Sequence, residues 1–269
     1  MKKIIALCSA AVLSLSLSSF SAGAMAPPGN LQEQNTMSVL WYQTSGEARA
    51  LYYQGYNIGK MKLEAALRKK PKQMMKKPAV VLDLDETVLD NSPVQAWAVK
   101  TGQGYPAKWE EWIQRAEAAA LPGAIDFLKY ADQKGVDIYY ISNRKAAQGE
   151  ATLKNLKRIG APQANMDHVL LQQPGEKGKE ARRQKVAQTH EIVLLFGDNL
   201  ADFSGFDNKT VTERNQITDQ KKAEFGDKLI IFPNPMYGDW ESAIYQYDFK
   251  KSDEEKSKLR RSNLKPFQP

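Results

Sequence analysis

Ala79-Val80-Val81-Leu82-Asp83-Leu84-Asp85-Glu86-Thr87 runs from four apolar residues into two carboxylates set two positions apart. The apolar run predicts a buried strand that delivers both acids at its C-terminal tip. Side chains two apart on an extended segment share a face. Two like charges held together are costly unless a cation or a shared proton offsets them. The first carboxylate can attack a phosphorus atom, and the second can handle the proton of the leaving group. An isolated Asp-x-Asp also fits a strand that runs into an acidic turn capping the next helix. Three later segments separate the two readings.

Downstream, short apolar runs alternate with helical patterns. Strands are predicted at 136–142, 168–171, 191–197 and 228–232, and helices near 93–100, 108–118, 122–134, 146–159 and 176–188. That alternation implies a parallel sheet with right-handed crossovers, its strands apolar on both faces. Upstream, residues 34–68 read as helical, with Gly46, Gly55 and Gly59 marking close packing or breaks. Pro71 and Pro78 bracket a linker into the first strand.

Ligands of open parallel sheets bind beyond the carboxyl ends of the strands. Four segments meet there: Asp83 with Asp85; Ser142-Asn143-Arg144; Lys179; and Gly197-Asp198-Asn199-Leu200-Ala201-Asp202. Asp83, Asp198 and Asp202 form an oxygen-rich set suited to a hard octahedral cation such as Mg²⁺. Ser142 supplies a hydroxyl for phosphoryl oxygens, and Asn143 and Arg144 lie beside it as candidate substrate contacts. Lys179 offsets the carboxylates, and Gly197 permits close backbone approach. Phosphoryl transfer needs mainly positioning and charge neutralisation. Taken singly, Ser142-Asn143 also reads as a helix cap, Lys179 as a solvated lysine and Gly-Asp-Asn as a turn.

The order Asp-x-Asp-x-Thr, hydroxyl, lysine, Gly-Asp-x-x-x-Asp resembles the haloacid dehalogenase (HAD) superfamily. The stretches 83–92 (Asp-Leu-Asp-Glu-Thr-Val-Leu-Asp-Asn-Ser) and 197–203 (Gly-Asp-Asn-Leu-Ala-Asp-Phe) resemble the bacterial class C acid phosphatases. The resemblance implies a Rossmann-like α/β core, a central parallel sheet flanked by helices, with a smaller mainly α-helical cap and N-terminal region. It implies Asp83 as nucleophile and Asp85 as general acid, then base, with a backbone carbonyl on Mg²⁺. Asp198 becomes a direct metal ligand and Asp202 an acid orienting a metal-bound water. Many relatives carry threonine where this chain has Ser142; the hydroxyl is kept. Trp109 and Tyr237 match aromatics that stack on a nucleobase in similar enzymes, so nucleoside 5′-monophosphates are the expected substrates. An acid-side pH optimum is implied in the same way, and a homodimer is compatible.

Ahead of all this, Lys2-Lys3, an uncharged apolar and serine-rich stretch from Ile4 to Phe20, and Ala22-Gly23-Ala24 read as a secretory leader. The expected division is therefore 1–24 leader, 25–78 helical region and linker, 79–250 catalytic core with a helical insertion around 91–121, and 251–269 tail. Nothing after the leader is long and apolar enough to span a bilayer. The lone cysteine, Cys8, falls within the leader, leaving no disulfide or thiolate site after cleavage, and Leu7 before it makes a poor lipidation signal. Export to the periplasm or medium without a lipid anchor is expected. The net charge of +7 drops to +5 once Lys2 and Lys3 are removed. That excess favours anionic small molecules by steering, and the scattered, acid-paired basic residues argue against a nucleic-acid polymer as partner. Phosphotransfer to an alcohol shares the same phosphoenzyme and stays open. So does a surface nucleotide- or cofactor-binding role, although His168 and His190 sit in no recognisable haem motif.

Overall fold

Val80 and Leu82 pack into one apolar cluster while Ala79 and Val81 pack into another. Alternation along one strand thus fills both faces of a sheet, which is why the run shows no polar residues. The structure, a computed structural model, describes residues 30–68 and 76–267. The leader, Cys8 and the Pro71 linker lie outside the described residues. In chain order the elements are α1 (Thr36–Thr44), α2 (Gly46–Leu67), β1 (Lys77–Leu82), β2 (Leu89–Asp90), α3 (Ser92–Thr101), α4 (Trp109–Arg115), β3 (Ala119–Ala120) and α5 (Ala124–Gln133). There follow β4 (Asp137–Lys145), α6 (Gly149–Arg158), β5 (Val169–Gln172), α7 (Glu180–Thr189), β6 (His190–Gly197), α8 (Val211–Gln220), β7 (Leu229–Ile231), α9 (Asp239–Ile244) and α10 (Asp253–Ser262).

Among the described residues the main sheet has the order β5-β4-β1-β6-β7, and every pairing in it is parallel. The mixed α/β fold with a central parallel sheet, expected from the alternation, is therefore present. β1 is central. The chain leaves it for β4 on one side and later returns to β6 on the other, so the crevice opens where Asp83 follows β1.

One face is covered by α2 and α5, with Tyr56, Phe127, Phe196 and Phe232 in ring contact. Two of the three glycines of α2 explain how that helix lies so close. A Cβ at Gly59 would come within 2.6 Å of the Phe196 ring and one at Gly55 would meet Phe232, whereas Gly46 faces open space. The N-terminal helices thus share the sheet's own core. The other face carries Val186 of α7 with Phe203, Phe206 and Leu229. A two-residue antiparallel ladder between β2 and β3 closes the insertion holding α3 and α4. No helix among the described residues is long and apolar enough to cross a membrane.

Local departures from the sequence pattern are small. The helix expected from Glu176 starts at Glu180, so Lys179 sits just before α7 and not within it. Pro122 precedes α5, which begins after a left-handed Gly123. β4 extends past Ser142 to Lys145 with a register irregularity between them.

Candidate active site

Asp83 leaves β1 with its amide bonded to the Phe196 carbonyl, which seats it between β1 and β6. It is 6 % exposed. Asp198 and Asp202 arrive from the turn after β6, where Asp202 closes a capping box by accepting from the Asn199 amide at 3.0 Å. Carboxylate oxygens of Asp83, Asp198 and Asp202 lie within 4.8 Å of one another. That is roughly the span across one octahedral sphere with bonds of about 2 Å. Lys179 donates to Asp83 and, at 2.6 Å, to Asp202. Asn234, beyond β7, donates to Asp198 Oδ2 at 2.8 Å, and Arg183 donates to the Asp202 carbonyl at 2.9 Å.

A second group adjoins the first. The Asp85 carboxylate accepts Arg144 Nε and Nη2 (2.9 and 2.7 Å to Oδ1), Ser142 Oγ at 3.2 Å and Asn91 Nδ2 at 2.9 Å. The Arg144 side chain is 1 % exposed and its remaining nitrogen reaches Thr152. The structure therefore places Arg144 on Asp85. Asn143 is exposed and its Oδ1 accepts from Arg182. Tyr237 donates to Glu86, the neighbour of Asp85. Trp109 begins α4, half-buried, with Tyr105 edge-on at 6.2 Å; its ring contact is with that tyrosine and not with the acid clusters. Sequence reading missed Asn234, although Pro233-Asn234-Pro235 follows a strand end where ligand contacts were expected. It also assigned no role to Glu86, which is wholly buried in a left-handed conformation (φ 61°).

Burial pushes the Asp83 carboxyl up to about 7; Lys179 opposes the rise, and Asp202 and Asp85 add to it. Burial likewise raises Asp198 well above the ordinary carboxylate range, helped by Asp202 and Asp83. Burial works against the Lys179 ammonium, but Asp202 and Asp83 overcome it and hold the proton on. A raised carboxyl contributes stability below its unfolded value, near 4, and that contribution is lost as pH rises through the folded value. A divalent cation binds the deprotonated form, so its protection grows over the same window. The gap between thermal midpoints with Mg²⁺ and with chelator is thus expected to widen from pH 5 to 8. Each proton released is worth about 1.4 kcal/mol per pH unit, or ~3–6 °C for a chain of this size. A gap that narrows with pH would contradict this account of the three acids.

Hard oxygen donors, deeply seated and mutually repelling, fit a hard divalent cation, and Lys179 supplies part of the same neutralisation. A sequence model of HAD superfamily subfamily IIIB (acid phosphatase) matches residues 5–240. The chain belongs to that family. Membership puts it among the phosphomonoester hydrolases, whose divalent-metal requirement the acid cluster fits. A class C acid phosphatase from Bacillus anthracis, solved with tungstate bound, is 66 % identical over 89 % of this chain and 100 % of that one, with a TM-score of 0.87. A second structure of the Bacillus anthracis enzyme gives 66 % and 0.86, with the same coverage. Vegetative storage protein 1 of Arabidopsis thaliana is 27 % identical over 130 residues, which is 45 % of this chain and 47 % of that protein. The stem 28 kDa glycoprotein of Glycine max is 28 % identical over 141 residues, 48 % of this chain and 54 % of that protein. The match thus spans about half the length of these plant relatives.

Proposed function

We propose that the protein is an exported, Mg²⁺-dependent acid phosphatase that hydrolyses phosphomonoesters, nucleoside 5′-monophosphates foremost. The observation that carries the reading is the meeting of Asp83, Asp198, Asp202 and Lys179 at the carboxyl end of the central strand. Asp83 attacks phosphorus, the ester P–O bond breaks, and the Asp85 carboxyl gives its proton to the departing oxygen. The product is an aspartyl-phosphate and a free alcohol. Water then attacks that phosphorus while the Asp85 carboxylate takes its proton, and the P–O bond to Asp83 breaks to return the enzyme. Lys179 neutralises phosphoryl oxygens, and the Ser142 hydroxyl, which donates to Asp85 at 3.2 Å, is the hydroxyl available to them. A Mg²⁺ ion held by Asp83, Asp198, the Asp85 carbonyl and, through water, Asp202 would supply further charge neutralisation.

The nucleotide preference draws on Tyr237 and Trp109, from the loop after β7 and the start of α4; an aromatic ring stacked on a base is worth roughly 1–3 kcal/mol. Residues 1–24 act as the export leader, residues 79–250 carry the chemistry, and the insertion around 91–121 caps it. Phosphate release should be measured across nucleoside monophosphates, sugar phosphates and phosphoamino acids, with and without chelator. Fast, chelator-sensitive release that favours nucleotides is expected. Turnover unaffected by chelator would remove the metal, and equal rates on all esters would remove the nucleotide preference.

A further inference from the structure

Asn91 is wholly buried beside Asp85, and each of its polar groups has a partner. Its backbone amide donates to Glu86 Oε1 at 2.7 Å, and its carbonyl accepts from Val94 at 3.1 Å in the first turn of α3. Its side-chain Oδ1 accepts from Trp112 Nε1 at 2.8 Å, and its Nδ2 donates to Asp85 Oδ1 at 2.9 Å. The orientation of this amide is chemically fixed. An indole N–H only donates, so the amide oxygen must face Trp112. The NH₂ group must then face Asp85, which suits a carboxylate. Glu86, which steadies the Asn91 backbone, also accepts the Tyr237 hydroxyl.

Two segments remote in sequence therefore end on the same clamp. Trp112 comes from α4 in the insertion, and Tyr237 from the loop after β7. Those are the segments carrying the candidate base-stacking rings.

We propose that Asn91 is a positioning residue for the proton transfer to the leaving group, its amide locked by Trp112 so that Asp85 is held aimed at the ester oxygen. The inference rests on the reading of Asp85 as acid and base. Through Trp112 on one side and Glu86–Tyr237 on the other, the fit of the leaving group is tied to the geometry of the proton donor.

Leaving-group dependence separates this role from a merely structural one. Nitrophenolate departs with little protonation, whereas an alkoxide depends on it. kcat/KM should be measured for 4-nitrophenyl phosphate and for glycerol phosphate, in Mg²⁺, on wild type, Asn91→Ala and Trp112→Phe. General acid catalysis contributes ~10²–10⁴-fold. Asn91→Ala is expected to lose about 100-fold on glycerol phosphate and under about tenfold on the nitrophenyl ester. Trp112→Phe keeps the ring but not the donor, frees the amide to flip, and should show the same bias at smaller amplitude, about fivefold. Should Asn91→Ala fail to fold, Trp112→Phe alone decides. Equal losses on both esters, or no loss, from variants with wild-type melting overturn the proposal and leave the phosphatase reading standing. A wild-type protein that cleaves neither ester overturns both.

Discussion

Asp83→Asn is expected to lower phosphate release at least ~10³-fold and, in the same protein, to raise the thermal midpoint of the metal-free form. The two effects share one cause. Asp83 is held in a nearly dry position beside Asp202 and Asp198, and its carboxyl is raised by that burial. An amide of the same shape ends the repulsion and needs no desolvated charge. Lys179 keeps its bond to Asp202 at 2.6 Å, and the backbone bond from residue 83 to Phe196 is unaffected. The amide is no nucleophile toward phosphorus, so the proposed phosphoenzyme cannot form. Relief of about 1–2 kcal/mol is a fair expectation for one shifted, partly compensated carboxyl, which corresponds to ~2–8 °C. Turnover near wild type would falsify Asp83 as nucleophile. An inactive variant that melts lower would mean that the cluster binds its lysine more strongly than its acids repel.

Such strain at a strand end is legible in sequence because it breaks a local rule. The run 79–82 reads as a two-faced buried strand, and two acids sharing a face at its tip repel each other unless a cation or a shared proton offsets them. The convergence of Asp83 with Asp198 and Asp202 follows from strand order alone, since both segments leave neighbouring strands, β1 and β6, at the same edge. What pattern reading missed depends on partner choice across the fold. Arg144 stands two residues past Ser142, and strand-end position suggests a substrate contact. β4 continues there through a register irregularity, and the guanidinium turns inward onto Asp85. Asn91 lies inside the acidic motif, yet its role depends on Trp112 arriving from α4. α8 has no visible helical period because Val211–Gln220 offers only two apolar residues, Val211 and Ile217; the capping box of Thr210 with Glu213 is the available signal. α9 has six residues, too few for a helical period to show.

Gly197→Ala is expected to weaken Mg²⁺ activation ~10–100-fold, the cost usual for disturbing groups that orient metal ligands. Gly197 ends β6 and lies outside the left-handed region, so its backbone would accept alanine and space alone decides. A Cβ there would sit within 2.7 Å of Asp202 Cγ. Neither side can give way freely. The strand end is fixed by the Phe232 amide on the Gly197 carbonyl at 2.8 Å, while Asp202 is held by Lys179, by the Asn199 amide and, at its carbonyl, by Arg183. Displacing Asp202 loosens Lys179 and with it the charge balance around Asp83. A magnesium titration of the initial rate should show a higher half-saturation point, with part of the lost rate recovered in excess Mg²⁺. Residues in direct contact have non-additive effects, so the same substitution on an Asp202→Gly background should cost little more than Asp202→Gly alone. Full additivity of the two losses would place the damage elsewhere than at this contact.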